Sequence, residues 1–333
     1  MIEWEIFFNH FNLSRINTQE LNPKALHLLI CGSFGDVFPN VTLLNEVVKI
    51  HKKPVIALIH ERWLPLTKRF QYEGVTFVYI KDEQAFKYSL MSEGRQYIFR
   101  EGWLYPLLPT MHPLICDFVY DGYITDFELK KVILKLPRQT KFTLPKLPEW
   151  RFIELHRLFE LTGCRAGRTC IFSFENNSNP SLPSEVLINA VRILKKNDID
   201  IALNVASTYD KKSWVPDELS EIPKLKVPSD APNEFVAIAG GHLGGPNGLT
   251  LILANFETDA KVGMVVDCTE DEIINNGRSV RPDSFLLYSK TSPQDVCTKN
   301  DFTEFVYKGQ DFDDFEIKLD CWAKKFTDSI AFT

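Results

Sequence analysis

Apolar and polar positions switch between two periods along this chain, and the switching lays out strands and helices in turn. The run Leu28-Leu29-Ile30-Cys31 predicts a strand, and Gly32-Ser33-Phe34-Gly35-Asp36 a turn. Val41, Leu44, Val47 and Val48 then share one face at helical spacing. A strand at Val55 to Ile59, a helix over 62–72 and a strand at Val75 to Tyr79 follow. Strands alternating with helices at this pitch predict a parallel sheet with right-handed crossovers. The aromatic-rich stretch from Gly102 to Pro137 gives no clear period.

Residues 137–149 carry Pro137, Pro145 and Pro148 with few periodic apolar positions, and read as a linker. A helix with Phe152, Leu155 and Phe159 on one face, ending near Gly163, leads into a second α/β unit. Its first strand is Thr169 to Phe174, and its first helix shows Leu187, Ala190, Val191 and Leu194. Further strands are predicted at Ile199 to Asn204, Phe235 to Ala239 and Lys261 to Val266. A last helix carries Phe315, Leu319, Trp322, Phe326 and Ile330. The expectation is two Rossmann-like domains, 1–140 and 150–310, with a terminal helix over 311–333. Ligands of such sheets bind outside the carboxyl ends of the strands, here in a cleft between the domains.

Composition narrows the class. The 333 residues are 44% hydrophobic and 25% charged, ordinary for a soluble protein, and no apolar run reaches membrane-spanning length. Net charge is 38 − 44 = −6, which argues against a nucleic-acid partner. Residues 1–150 hold 18 basic and 16 acidic side chains, and the rest 20 and 28. Basic pairs such as Lys52-Lys53 and Lys68-Arg69 in the first half read as solvated faces, with docking to an anionic acceptor or a membrane surface as the second reading. Seven scattered cysteines without a CxxC, and a start lacking a signal-peptide pattern, point to the cytoplasm.

Three segments could carry chemistry. Asp36 follows the first strand, where a carboxylate could be a general base on an acceptor hydroxyl or simply the cap of the next helix. Gly240 to Gly248 concentrates five of the 16 glycines around His242 and Asn247, ahead of an apolar helix. Such a loop offers backbone donors and a helix N-terminus to a phosphate, or makes a close packing turn. Ser173, Glu175, Asn176 and Asn177 lie between a strand and a helix, and suit either a phosphate or sugar contact or an ordinary turn. Asp311-Phe312-Asp313-Asp314 has the look of a DxD metal site but reads as acidic residues opening a helix, so no metal is expected. His112 is the other histidine in a plausible site loop.

The stretch His27 to Val37, followed by a helix and by Pro54 to Trp63, resembles the amino terminus of the heptosyltransferase-like glycosyltransferases. Ser33-Phe34-Gly35-Asp36-Val37 matches their Ser-x-x-Gly-Asp-Val turn, and Gly244 to Leu249 is similar to their late donor loop. The resemblance implies a GT-B fold with an acceptor domain first and a nucleotide-sugar domain second. Its last helix would cross back to brace the N-terminal domain. It implies an inverting, metal-independent sugar transfer to a glycan or glycolipid hydroxyl, with Asp36 as base. Donor contacts would come from Ser173, Glu175, Asn176, Asn177, His242, Gly244, Gly245, Asn247 and Gly248, and acceptor contacts from Ser33, Phe34 and His112. The donor loop is divergent: Leu243-Gly244-Gly245 stands where the family commonly has Asp-Thr-Gly, and Gly248 where a His would fall. A nucleotide-sugar epimerase of the same fold, and a degenerate protein that only binds sugar or nucleotide, are the alternatives. Peripheral association with a membrane is compatible with the basic pairs.

Overall fold

The structure is a computed structural model. It describes residues 25–30, 34–81, 103–104, 131, 134, 136–137, 140, 144–174, 182–205, 215–245, 247–256, 258–267, 273–275, 278–280, 302–307 and 312–328. The chain divides into two compact units that meet in sequence between Pro145 and Lys146.

In the first unit, β1 (Leu26–Ile30), β2 (Val55–His60) and β3 (Val75–Ile80) are parallel, and β4 (Trp103–Leu104) pairs antiparallel with β1. The strand order is β3-β2-β1-β4. Helix α1 (Phe34–His51) buries Val37, Phe38, Val41, Leu44 and Val47, and β1 and β2 bury Leu26, Leu28, Ile30, Val55, Ala57 and Ile59. The helix expected over 62–72 is shorter. A 3-10 turn at Glu61–Trp63 leads into α2 (Leu64–Arg69), and Phe70 is already extended.

The second unit opens with α3 (Glu149–Glu160), which buries Leu155 and Phe159. Its sheet comprises β5 (Thr169–Ser173), β6 (Asp200–Asn204), β7 (Lys224–Leu225), β8 (Gly240–Gly244), β9 (Lys261–Asp267) and β12 (Phe302–Tyr307). Between β9 and β12 lies a separate antiparallel pair, β10 (Ile273–Asn275) and β11 (Arg278–Val280). All pairings within the six-stranded sheet are parallel, in the order β12-β9-β8-β5-β6-β7. Every residue of β5 is buried, as a central parallel strand covered on both faces requires.

Three helices lie between or after these strands, α4 (Ser184–Lys196), α5 (Pro232–Ala239) and α6 (Gly248–Asn255), and α7 (Phe312–Asp328) closes the described chain. One core cluster joins Leu187, Val191 and Leu194 of α4 to Phe172, Leu243, Val265 and Phe305 of the sheet and to Phe315, Leu319, Trp322 and Phe326 of α7.

One expectation changes here. Phe235 to Ala239, read as a strand, is helix α5. Pro232 sits in its first turn, and Gly240, at φ 110°, ends it in the left-handed region that favours glycine. An apolar run of five residues is too short for periodicity to separate strand from helix. The strand shifts to the glycine-rich segment itself, so Gly240 to Gly244 is not a loop. The apolar stripe of α7 joins the core of its own unit. Strand β12, which the sequence reading did not find, supplies Phe305 and Tyr307, whose rings meet Phe315 at 6.2 and 6.5 Å. Ile330 lies outside the described residues.

Candidate functional site

The second unit's strand order decides where a ligand would bind. Counted from β5, the strands run one way through β6 and β7 and the other way through β8, β9 and β12. The sense in which successive strands are added therefore reverses across the parallel β5–β8 pair, and the carboxyl ends of these two strands form the switch point of a doubly wound sheet. Ser173 ends β5 and Gly244 ends β8, paired in register.

A polar network ties these ends together. Asn247 caps α6: its Oδ1 accepts from the Thr250 amide at 3.1 Å and from Thr250 Oγ1 at 3.2 Å. Its Nδ2 donates to the Ser173 carbonyl, which also accepts from the Gly245 amide at 3.1 Å. Ser173 Oγ accepts from Asn204 Nδ2 at 3.1 Å, and Asn204 Oδ1 accepts from the Val227 amide at 3.0 Å. His242 is fully buried in β8, with Nε2 2.9 Å from Thr250 Oγ1. Because that hydroxyl donates to Asn247, the His242 tautomer that satisfies both bonds carries its proton on Nε2. Burial pushes the imidazole down to about 3, so it is neutral at ordinary pH.

Gly244 is shaped by the same contacts. A Cβ there would stand 2.3 Å from Thr250 Oγ1, 2.6 Å from His242 Nε2 and 2.8 Å from the Ser173 carbonyl oxygen. Of the residues expected at a donor site, Ser173, His242, Gly244, Gly245, Asn247 and Gly248 thus converge on the β5–β8 edge. His242 reaches it only from within the sheet. Glu175, Asn176 and Asn177 lie outside the described residues.

In the first unit, Asp36 is the third residue of α1, just beyond the carboxyl end of β1. Phe34, which opens that helix, stacks on Trp63 with centroids 5.9 Å apart and meets Phe38 edge-on at 5.3 Å. The Arg62 guanidinium lies 5.0 Å over the Trp63 ring. Ser33 and His112 lie outside the described residues. Asp313 and Asp314 open α7, where Asp314 pairs with Lys318 at 2.7 Å.

No protein-family model matches the sequence, and no curated protein matches it. Solved structures do. The glycosyl transferase family 9 structure from Veillonella parvula is similar over 90% of this chain and 89% of that one, with a TM-score of 0.50 at 13% identity. The chain has a heptosyltransferase-like glycosyltransferase fold. The Escherichia coli ADP-heptose lps heptosyltransferase II gives a TM-score of 0.48 at 12% identity, over 81% of this chain and 95% of that one. The E. coli heptosyltransferase WaaC with ADP gives 0.45 at 12%, over 92% and 98%.

On this glycosyltransferase fold, two polar residues at the switch point escaped the reading of the sequence. Thr250 was legible: Asn247-x-x-Thr250 has the spacing of a helix cap and its partner. Asn204 was not, because only the pairing of β5 with β6 brings it to Ser173. No described helix is long and apolar enough to cross a membrane.

Proposed function

We propose that this chain transfers a sugar from a nucleotide-sugar donor to a hydroxyl of a glycan or glycolipid acceptor, with inversion and without a metal ion. The observation that carries the reading is the switch point: Ser173, Gly244, Gly245, Asn247 and Gly248 lie at the carboxyl edge of a doubly wound sheet on a glycosyltransferase fold. The first amides of α6 are suited to the donor's diphosphate, since a helix N-terminus favours negative charge. Stabilising that group matters most as the bond to the anomeric carbon breaks and charge develops on the departing oxygen. Asp36 takes the proton of the acceptor hydroxyl as its oxygen attacks the anomeric carbon from the opposite face. The family resemblance assigns Phe34, Ser33 and His112 to the acceptor, and Glu175, Asn176 and Asn177 to the donor. The acceptor's lipid would hold the protein peripherally at the cytoplasmic face of a membrane.

Thermal stabilisation by UDP, GDP, ADP, dTDP, CMP and their sugars, with and without Mg²⁺, tests the donor site, because a ligand of the folded state raises the midpoint by mass action. One selective nucleotide, insensitive to metal, is expected; no shift with any of them overturns the reading. With the donor known, Asp36→Ala should bind it normally and lose about 10²–10⁴ in transfer rate. Full transfer by that variant would remove Asp36 from the mechanism, and altered sugar formed from donor alone would replace transfer by epimerisation.

A further inference from the structure

We infer that His242 and Thr250 are positioning residues that hold the first turn of α6 ready for the donor's diphosphate. This rests on the donor site proposed above. The chain of bonds has one direction. His242 Nε2 donates to Thr250 Oγ1, Thr250 donates to Asn247 Oδ1, and Asn247 Nδ2 donates to the Ser173 carbonyl. Asn247 is thereby oriented with its oxygen toward the helix and its amide toward β5, and the β8–α6 connection is fastened to the end of the neighbouring strand.

Stability alone is a poor account of this arrangement. His242 Nδ1 is buried with no hydrogen-bond partner among the described residues, a cost that an apolar side chain at this position in the sheet would avoid. Gly244 leaves open the space the bond occupies, since a Cβ there would fall 2.3 Å from Thr250 Oγ1 and 2.6 Å from His242 Nε2. Side-chain volume and a buried acceptor are thus both given up at one spot, and the group they orient is the cap of the helix that faces the switch point. A turn fixed before the ligand arrives loses less freedom on binding, which is how a residue that never touches the donor raises affinity for it.

The test compares Thr250→Val, Thr250→Ser and His242→Leu in the full chain. Calorimetric titration with the nucleoside diphosphate that stabilises the wild type should show binding about tenfold weaker for Thr250→Val and His242→Leu, with Thr250→Ser restoring most of it. Amide hydrogen exchange at Leu249 to Leu251 should be faster in the two weakened variants without any ligand, and near wild type in Thr250→Ser. Folded Thr250→Val and His242→Leu proteins with wild-type affinity and protection would overturn the inference. If no nucleotide binds the wild type, the donor reading fails by itself, and the exchange rates alone decide whether the pair fixes the turn. Should one variant not fold, the other, with Gly244→Ala as a third disruption of the same bond, gives the same comparison.

Discussion

Replacing Gly241 by alanine puts the packing of the last helix to a quantitative test. An added Cβ would stand 2.0 Å from Phe326 Cε2 and 2.8 Å from Cζ, closer than any carbon contact tolerates. The ring cannot simply swing aside, because it is 2% exposed and meets Trp322 edge-on at 5.7 Å. Forcing a methyl into such a core costs about 1–3 kcal/mol, while Phe326→Ala, which empties the same space, costs about 3–5 kcal/mol. In the double variant the new methyl enters the cavity the ring has left. It should therefore be about as stable as Phe326→Ala alone, with a coupling of about 1–3 kcal/mol that offsets the single-variant sum. Urea unfolding followed by near-ultraviolet circular dichroism measures all four proteins, with Trp322 reporting from within the cluster. Costs that add to within about 0.5 kcal/mol would mean that Phe326 does not lie on β8, and the packing of α7 described here would be wrong.

Three further outcomes follow from the same contacts. His242 is neutral in the fold down to about 3, whereas an unfolded chain protonates it near 6.5, so the unfolded state binds the extra proton between those values. Its contribution is therefore complete above pH 6.5 and lost as pH falls toward 3, at up to about 1.4 kcal/mol per pH unit. His242→Gln should flatten that part of the stability–pH curve relative to wild type, and parallel curves would refute the burial. Arg151 grips Asp230 through Nε at 2.8 Å and Nη2 at 2.6 Å with both side chains largely covered, so Asp230→Ala should lower stability by about 1.5–3 kcal/mol in chemical unfolding. Among the three described cysteines, exposed Cys321 should react with a thiol reagent in the native protein. Buried Cys170, whose thiol is pushed up by desolvation, should react only on unfolding, and mass spectrometry of the labelled peptides would show a reversal at once.

The legible parts of the sequence were those where one period dominates. The faces of α1, α4 and α7 stood out because their apolar residues recur every three or four positions, and β1, β2, β3, β5 and β9 because each is a short branched or apolar run between breaks. Where period carried no information the reading slipped. Phe235 to Ala239 is apolar at all five positions and too short to show a period, and Gly240 to Gly244 has almost no side chains to alternate, so helix and strand changed places there. Strand β12 mixes Thr303 and Glu304 with aromatics and gave no signal strong enough to name. The candidate site shows the same division. Ser173, Gly244, Gly245 and Asn247 could be chosen from turn chemistry near strand ends. The link from Asn204 to Ser173 depends on β5 lying beside β6, which is a property of the sheet and not of either segment.

The seam between β5 and β8 also sets an order of events during synthesis. Thr169 pairs with Gly240, 240 − 169 = 71 positions later, whereas β5 and β6 pair across 200 − 169 = 31. As the chain emerges, the β5-α4-β6 crossover is complete while its inner edge still has no neighbour. That edge stays open until Gly240 to Gly244 has been made. The strand that must then fill the gap is the one poorest in side chains, and α7, whose Phe326 packs against it, is made last. At about 5–20 residues per second, the wait lasts several seconds. A nascent chain stalled just short of residue 240 would expose a ready-made docking edge for any other extended peptide, and the assembly of this sheet is most open to error in that interval.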